Sequence, residues 1–436
     1  MRLLPAVLCL LAAVPAASPA LAQQRPDTLD LATAIATARA GNPRIAAASA
    51  GVRAAGARIA PAGTLADPTV TLGAMNYMLP GLSPRGDPMT MNQVTVMQML
   101  PVNGTLRLRR SAARSDSAGT ALRRDALALD VEHEVRTRYW ELYHTDRALE
   151  TMATTLGALR DLVGIAAAMY AVGSTSQADV LRAQLAVTRM QQEIADMELQ
   201  RVTAGAALNS LLGRDPEARI VLRAGTAHEM HAGEVLALEM PPLPPLDSLA
   251  RWADSGNLEL AALRTGVAAA RANEDAARRM LVPDLTVGLS YGQRTGSNDM
   301  LSAMVGVSVP LFARSRQRSQ REETRAMRTM AEDEVAALRL AIRTELVTAR
   351  ATAETARRQV ALYSGTLVPQ ATAAYEASLA AYRVGRADFM AVLDARMALL
   401  MYEHDAHRFE SMYGTAIADI DRLTGRLYVA PMAGME

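Results

Sequence analysis

Six methionines, Met75, Met78, Met89, Met91, Met97 and Met99, crowd one short stretch and make up a quarter of the 24 in the chain. Thioether sulfur is a soft ligand that suits Cu(I) and similar ions, and its weak hold lets an ion leave again. The plainer role is gap-filling, which a chain with only three Phe also needs. Histidine offers two pairs, His228 with His231 and His404 with His407, spaced so that a helix would put both rings on one side. With no His-x-x-x-His and no thiol beside them, they read as solvated surface, and no firm metal site is expected. All 46 basic residues are Arg, which removes the GK[ST] phosphate loop and any Schiff-base Lys. H-E-x-x-H and G-x-G-x-x-G do not occur, so neither an enzyme nor a cofactor is expected.

Composition narrows the partners. The 46 basic and 45 acidic groups leave a net charge of +1, which argues against a broad nucleic-acid footprint. Aromatics are only 4%, too few for a base-stacking platform. Residues 1–22 read as a secretory signal: Arg2, an apolar run from Leu3 to Val14, and the small-residue exit Ala20-Leu21-Ala22. Cleavage after Ala22 discards Cys9, the only Cys in the chain. No run of 18 or more apolar residues follows, so membrane insertion requires a closed barrel, because open strand edges leave backbone groups unpaired in lipid.

The remaining chain is one unit written twice. Leu31 through Gly41-Asn42 matches Leu246 through Gly256-Asn257. Tyr170-Ala-Val-Gly173 matches Tyr382-Arg-Val-Gly385, Val180-Leu181 matches Val392-Leu393, and Leu211-Leu-Gly213-Arg214 matches Leu423-Thr-Gly425-Arg426. The expected boundaries are a first repeat over 23–212, an equatorial segment and Pro-rich connector over 213–245, a second repeat over 246–425 and a tail over 426–436. Each repeat predicts a helix (31–60, then 246–280), two short strands, and a long helical hairpin (105–170 with 177–212, then 313–382 with 389–424). Val131, Val135, Leu142, Leu149, Leu156, Val163 and Tyr170 fall near seven-residue spacing, the mark of a coiled coil. A helix of that length reaches about 100 Å, far more than a globular core needs. The Arg-rich run from Arg314 to Arg328 reads as a salt-bridged helix face.

The predicted strands, 69–78, 93–101, 284–292 and 300–309, alternate apolar and polar residues as barrel strands do. Leu285, Val287, Leu289 and Tyr291 share one face, and so do Leu301, Val305, Val307 and Val309. Aligning Val94 and Val96 with Val305 and Val307 puts Met89, Met91, Met97, Met99, Met300 and Met304 on the opposite, lumen face. Four strands cannot close a barrel, since about eight is the smallest number that does, so several copies must share one.

An exported, duplicated chain with two strand hairpins and two long helical hairpins resembles the TolC-type outer-membrane efflux proteins. The most specific markers are Tyr382-Arg-Val-Gly385-Arg386 followed by Val392-Leu393-Asp394-Ala395, with a weaker copy at Tyr170-Ala-Val-Gly173-Ser174. The resemblance implies a mostly α chain that contributes to a transmembrane β-barrel: a homotrimer with twelve strands in the outer membrane, continued by an α-helical tunnel across the periplasm. It also implies a periplasmic adaptor (membrane fusion) protein and an inner-membrane pump as partners. The adaptor would dock at Val172, Gly173 and Ser174 and at Val384, Gly385 and Arg386. The family's acidic constriction falls on Asp394, with Asp388 and Asp179 as lesser candidates, while its other acidic position falls on Ala391 and departs from the pattern. Three copies of Asp394 around an axis would repel one another and attract cations. A solvated Asp394, or one paired with Arg396, is the plain alternative. The methionines would suit the family's heavy-metal branch. The competing function is a periplasmic coiled-coil scaffold with no channel activity.

Overall fold

The computed structural model describes residues 28–222, 240, 242–309 and 315–426. The signal at 1–22, residues 223–239 with His228 and His231, and the tail beyond Arg426 lie outside the described residues.

Both halves run through the same order of elements. The first has strand β1 (Thr28–Leu29), helices α1 (Leu31–Gly41), α2 (Pro43–Ala57) and α3 (Ile59–Ala62), strands β2 (Thr69–Met75) and β3 (Met91–Leu100), then the hairpin of α4 (Thr105–Ala171) and α5 (Gln177–Leu211). Strand β4 (Val221–Leu222) pairs parallel with β1. The second has α6 (Leu246–Gly256), α7 (Leu258–Arg279), β5 (Leu285–Arg294), β6 (Met300–Val307), α8 (Arg316–Leu362), α9 (Val368–Arg383) and α10 (Phe389–Thr424).

The opening helices, expected to be continuous, break at the repeated Gly-Asn. Asn42 takes an extended backbone and caps α2 by accepting from the Arg44 N–H, while its Nδ2 donates to the Leu211 carbonyl at 2.9 Å. Asn257 does the same for α7, accepting from the Leu260 N–H and donating to the Leu423 carbonyl at 3.0 Å. A Cβ on Gly213 would meet the Gly41 carbonyl oxygen at 2.7 Å and one on Gly41 the Leu212 carbonyl oxygen at 3.1 Å, while Gly256 lies against the backbone of Thr424 with no space for a Cβ. Each repeat therefore clasps the end of its long hairpin to its first helices, which explains why this dipeptide recurs.

Helix α4 is 67 residues long, about 100 Å. Its buried seam differs in phase from the predicted one below Leu142. It runs through Thr145, Ala148, Met152, Thr155, Leu159, Leu162 and Ala166, alternating steps of three and four. Leu149, Leu156 and Val163 flank this seam, and Tyr170 is exposed. The reason is that α4 packs against both α5 and α10, so its core line falls between two partners, where small residues and Thr permit close approach. One 18-residue window of α4 reaches a mean hydropathy of 1.3, enough by length and composition for a membrane span, but its helix is engaged by those two neighbours. The second long helix is not continuous either. A π-turn at Tyr363–Leu367 separates α8 from α9, and Pro369 at the head of α9 has no N–H to continue the α-helical ladder.

The four longer strands form one antiparallel sheet in the order β2-β3-β5-β6, leaving β2 and β6 as open edges. Pairing of Val70 with Val96 and Leu289, and of Leu285 with Val307, fixes one face: Val70, Leu72, Val94, Val96, Leu289, Tyr291, Leu301 and Val305 lie together. Nothing among the described residues covers it; Leu72 is 76% and Val305 72% exposed. All four strand–helix junctions lie at one end of the sheet, and loops 76–90 and 295–299 lie at the other.

Candidate functional site

The sheet's second face carries the methionines. Register places Met75 beside Met91, Met97 beside Gly288 and Gly288 beside Met304, and Met99 shares their side. Thr69, Thr71, Gln93, Thr95, Thr286, Ser290, Arg294 and Ser302 share this face, with glycines at 73, 292 and 306. Gly288 leaves room for its neighbours: a Cβ there would meet Met97 Cγ at 3.2 Å and Met304 Cε at 3.3 Å. Met300 sits on the same face opposite Gly292. Met89 does not belong to it, because β3 begins at Met91 and Met89 lies in the preceding loop, where its N–H donates to Asp87. Met75 takes the place in the set that Met89 was expected to hold.

The two hairpin tips share one geometry. Gly173 has φ +74° and Gly385 φ +70°, left-handed conformations that strain other residues. The Ser174 N–H donates to the Met169 carbonyl and the Arg386 N–H to the Ala381 carbonyl, each at 2.8 Å. These closures push Val172 and Val384 outward, 75% and 67% exposed, and a Cβ on either glycine would meet open space. The tips are thus two similar apolar knobs with approachable backbone.

The three acidic candidates separate. Asp179 is buried and committed to its own turn, accepting from Thr175 Oγ1 at 2.8 Å and Ser176 Oγ at 2.9 Å, with Arg182 at 3.3 Å. The Thr175 and Ser176 bonds outweigh burial and hold its carboxyl below the usual range. A carboxylate so occupied is a helix cap rather than a gate, and the capping box Ser176-Gln-Ala-Asp179 is its sequence signal. Asp388 is the N-cap of α10, yet its side chain makes no capping bond and is exposed. Asp394 is exposed and makes no ion pair among the described residues. Its supposed partner Arg396 turns the other way, buried, with Nη2 donating to Thr155 Oγ1 at 2.7 Å. In the repeat alignment Asp394 corresponds to Arg182 and Ala391 to Asp179, so the ion pair that ties down the first tip is missing from the second.

The sequence reading missed a polar cluster midway along the helices. His144 of α4 stacks edge-on against His404 of α10, with ring centroids 4.8 Å apart. Burial, and then the charges of His404, His407 and Arg408, push His144 down to about 4; burial also lowers His404. Tyr143 donates to Glu410 at 3.1 Å, and Tyr363 of the π-turn lies 5.2 Å from Phe409. His404 is therefore half-buried at a helix interface rather than solvated. The contact joins residues 260 positions apart, and no local spacing signals it. A serine-hydrolase-like string, Gly288-Leu289-Ser290-Tyr291-Gly292, also escaped notice. It lies inside β5 rather than on a strand-to-helix turn, so its Ser lacks the exposed elbow such chemistry needs.

Comparison with known proteins adds a family. Residues 34–214 and 249–426 match the model of the outer membrane efflux protein family. Protein CyaE of Bordetella pertussis is 30% identical over 220 residues, which is 47% of this chain and 43% of that protein. The cobalt-zinc-cadmium resistance protein CzcC of Cupriavidus metallidurans is 26% identical over 259 residues, 59% of this chain and 58% of that one. The matches thus span about half the length of these relatives. The solved structure of the outer-membrane channel OprN superposes with a TM-score of 0.75 at 19% identity, covering 91% of this chain and 89% of that one, so the fold is shared.

Proposed function

Because the chain belongs to the outer membrane efflux protein family, we propose that it forms a passive export conduit as a homotrimer, the outer-membrane member of a tripartite system. Its three sheets join β6 of one copy to β2 of the next and close a twelve-stranded barrel. The helices continue it as a tunnel into the periplasm, where a periplasmic adaptor grips the knobs at Val172 and Val384 and connects an inner-membrane pump. The observation that carries this reading is the sheet itself, with two open edges and an apolar face that the chain leaves bare. Lipid outside and identical neighbours at each edge satisfy both at once.

The chemistry is filtering rather than bond breaking. Asp394, without an ion pair among the described residues, and Asp388, whose side chain makes no capping bond, would form acidic rings just inside the second tip, repelling one another and holding cations. The cargo is small molecules or metal ions; the methionines of the polar sheet face favour soft ions.

The full chain purified in mild detergent should have three times the chain mass and conduct ions in planar bilayers. A monomer that stays in solution without detergent would replace this reading with the scaffold. In a deletion strain, wild type should restore export of copper, silver or drugs, and Asp394→Ala should alter cation flux.

A further inference from the structure

The basic residues are unevenly placed. Between Thr105 and Arg114, α4 carries Arg107, Arg109, Arg110 and Arg114 and no acid. Between Arg316 and Arg328, α8 carries five arginines against Glu322 and Glu323. Nine guanidiniums thus face two carboxylates in a chain whose net charge is only +1. Few are paired: Arg318 approaches Glu322 at 3.7 Å, and Arg328 approaches Glu274 at 3.4 Å. Arg107, Arg109, Arg110 and Arg114 make no ion pair among the described residues, nor do Arg316, Arg321 and Arg325, and all seven are exposed. Arg314 lies outside the described residues, and from Arg316 to Arg328 the expected salt-bridged face is largely unbridged.

Their position works against the helices that bear them. Both clusters open a long helix, and Arg107 of α4 and Arg316 and Arg318 of α8 lie in its first turn, where the backbone already presents its positive end and arginine is unfavourable. Both lie at the sheet end where strands become helices, α4 five residues after β3 and α8 nine residues after β6. The two repeats place them alike. Arg110 lies over Gly63, in the link from α3 to β2, which ties the cluster to the segment leading into the sheet. A cost repeated in both halves of the chain calls for an anionic group supplied from outside.

We propose that these arginines form a basic girdle that binds the anionic phospholipid headgroups of the periplasmic leaflet, fixing how deep the barrel sits. The proposal rests on the outer-membrane reading above. Arginine forks grip phosphate oxygens bidentately, their stems lie along apolar surface while the heads reach the interface, and such attraction is screened by salt. The test uses the full-length protein in a neutral detergent and in vesicles. Phosphatidylglycerol should raise its Tm by several degrees, phosphatidylcholine should not, and about 0.5 M salt should remove the difference. Replacement of Arg107, Arg110, Arg114, Arg321 and Arg325 by Gln should abolish the response. An equal response to both lipids in the unaltered protein would overturn the girdle while leaving the conduit standing. So would an altered anion selectivity of the substituted pore with the lipid response intact, since the arginines would then line the lumen. Failure to enter vesicles of either composition would overturn the conduit reading itself.

Discussion

Protonation of His144 would put a charge between α4 and α10, where His404, His407 and Arg408 already stand and Asp405 is the nearest counter-charge. The folded protein holds this ring down to about 4, below its ordinary value of 6.5, so folding favours the neutral form. Stability should be full above about pH 6.5 and fall as pH drops toward 4, by about 2 kcal/mol after discounting for partial exposure. His144→Gln should flatten that dependence in thermal melts run between pH 7 and 4.5; an unchanged slope would show that the pair does not titrate in this window. Asp179→Ala should cost about 1 kcal/mol through loss of the α5 cap, and should leave ion conduction as it was. Here local and distant information part company. The role of Asp179 is spelled by four adjacent residues, whereas that of His144 depends on which helix lies across from it.

The order of elements and the doubled plan were legible because each follows from periodicity and from the recurrence of Gly and Asn, whereas the breaks in the opening helices and in the second long helix were not. The seam of α4 was not, since a helix gripped by two partners buries small residues that no hydrophobic tally ranks highly. The clasp within each repeat gives the sharpest test at this level. Gly256→Ala would drive a methyl into the Thr424 carbonyl and should destabilise by about 1–3 kcal/mol. Gly157→Ala, in the interior of α4 with nothing within 4 Å of its Cβ, should stabilise by about 0.5–1 kcal/mol. A denaturant midpoint that holds or rises for Gly256→Ala would refute the packing described at the clasp.

On the scale of the whole molecule, the two faces of the sheet should answer differently to charge. Leu72→Arg, on the bare face, should cost about 2–4 kcal/mol if it lies near mid-bilayer and should deplete protein from the outer-membrane fraction. Thr71→Arg, one residue away on the opposite face, should insert normally and change conductance instead. The alternation behind this contrast was plain in the sequence, but the edges of the sheet were not, because the order β2-β3-β5-β6 joins strands almost two hundred residues apart. The same connectivity governs how such a protein could be put together. Because each of the four longer strands returns to a helix on one side, only residues 76–90 and 295–299 would have to cross the bilayer in the proposed conduit. On that proposal the rods would finish folding in the aqueous compartment where they start, and insertion would become the passage of two short hairpin caps per copy through lipid, with no folded body to translocate.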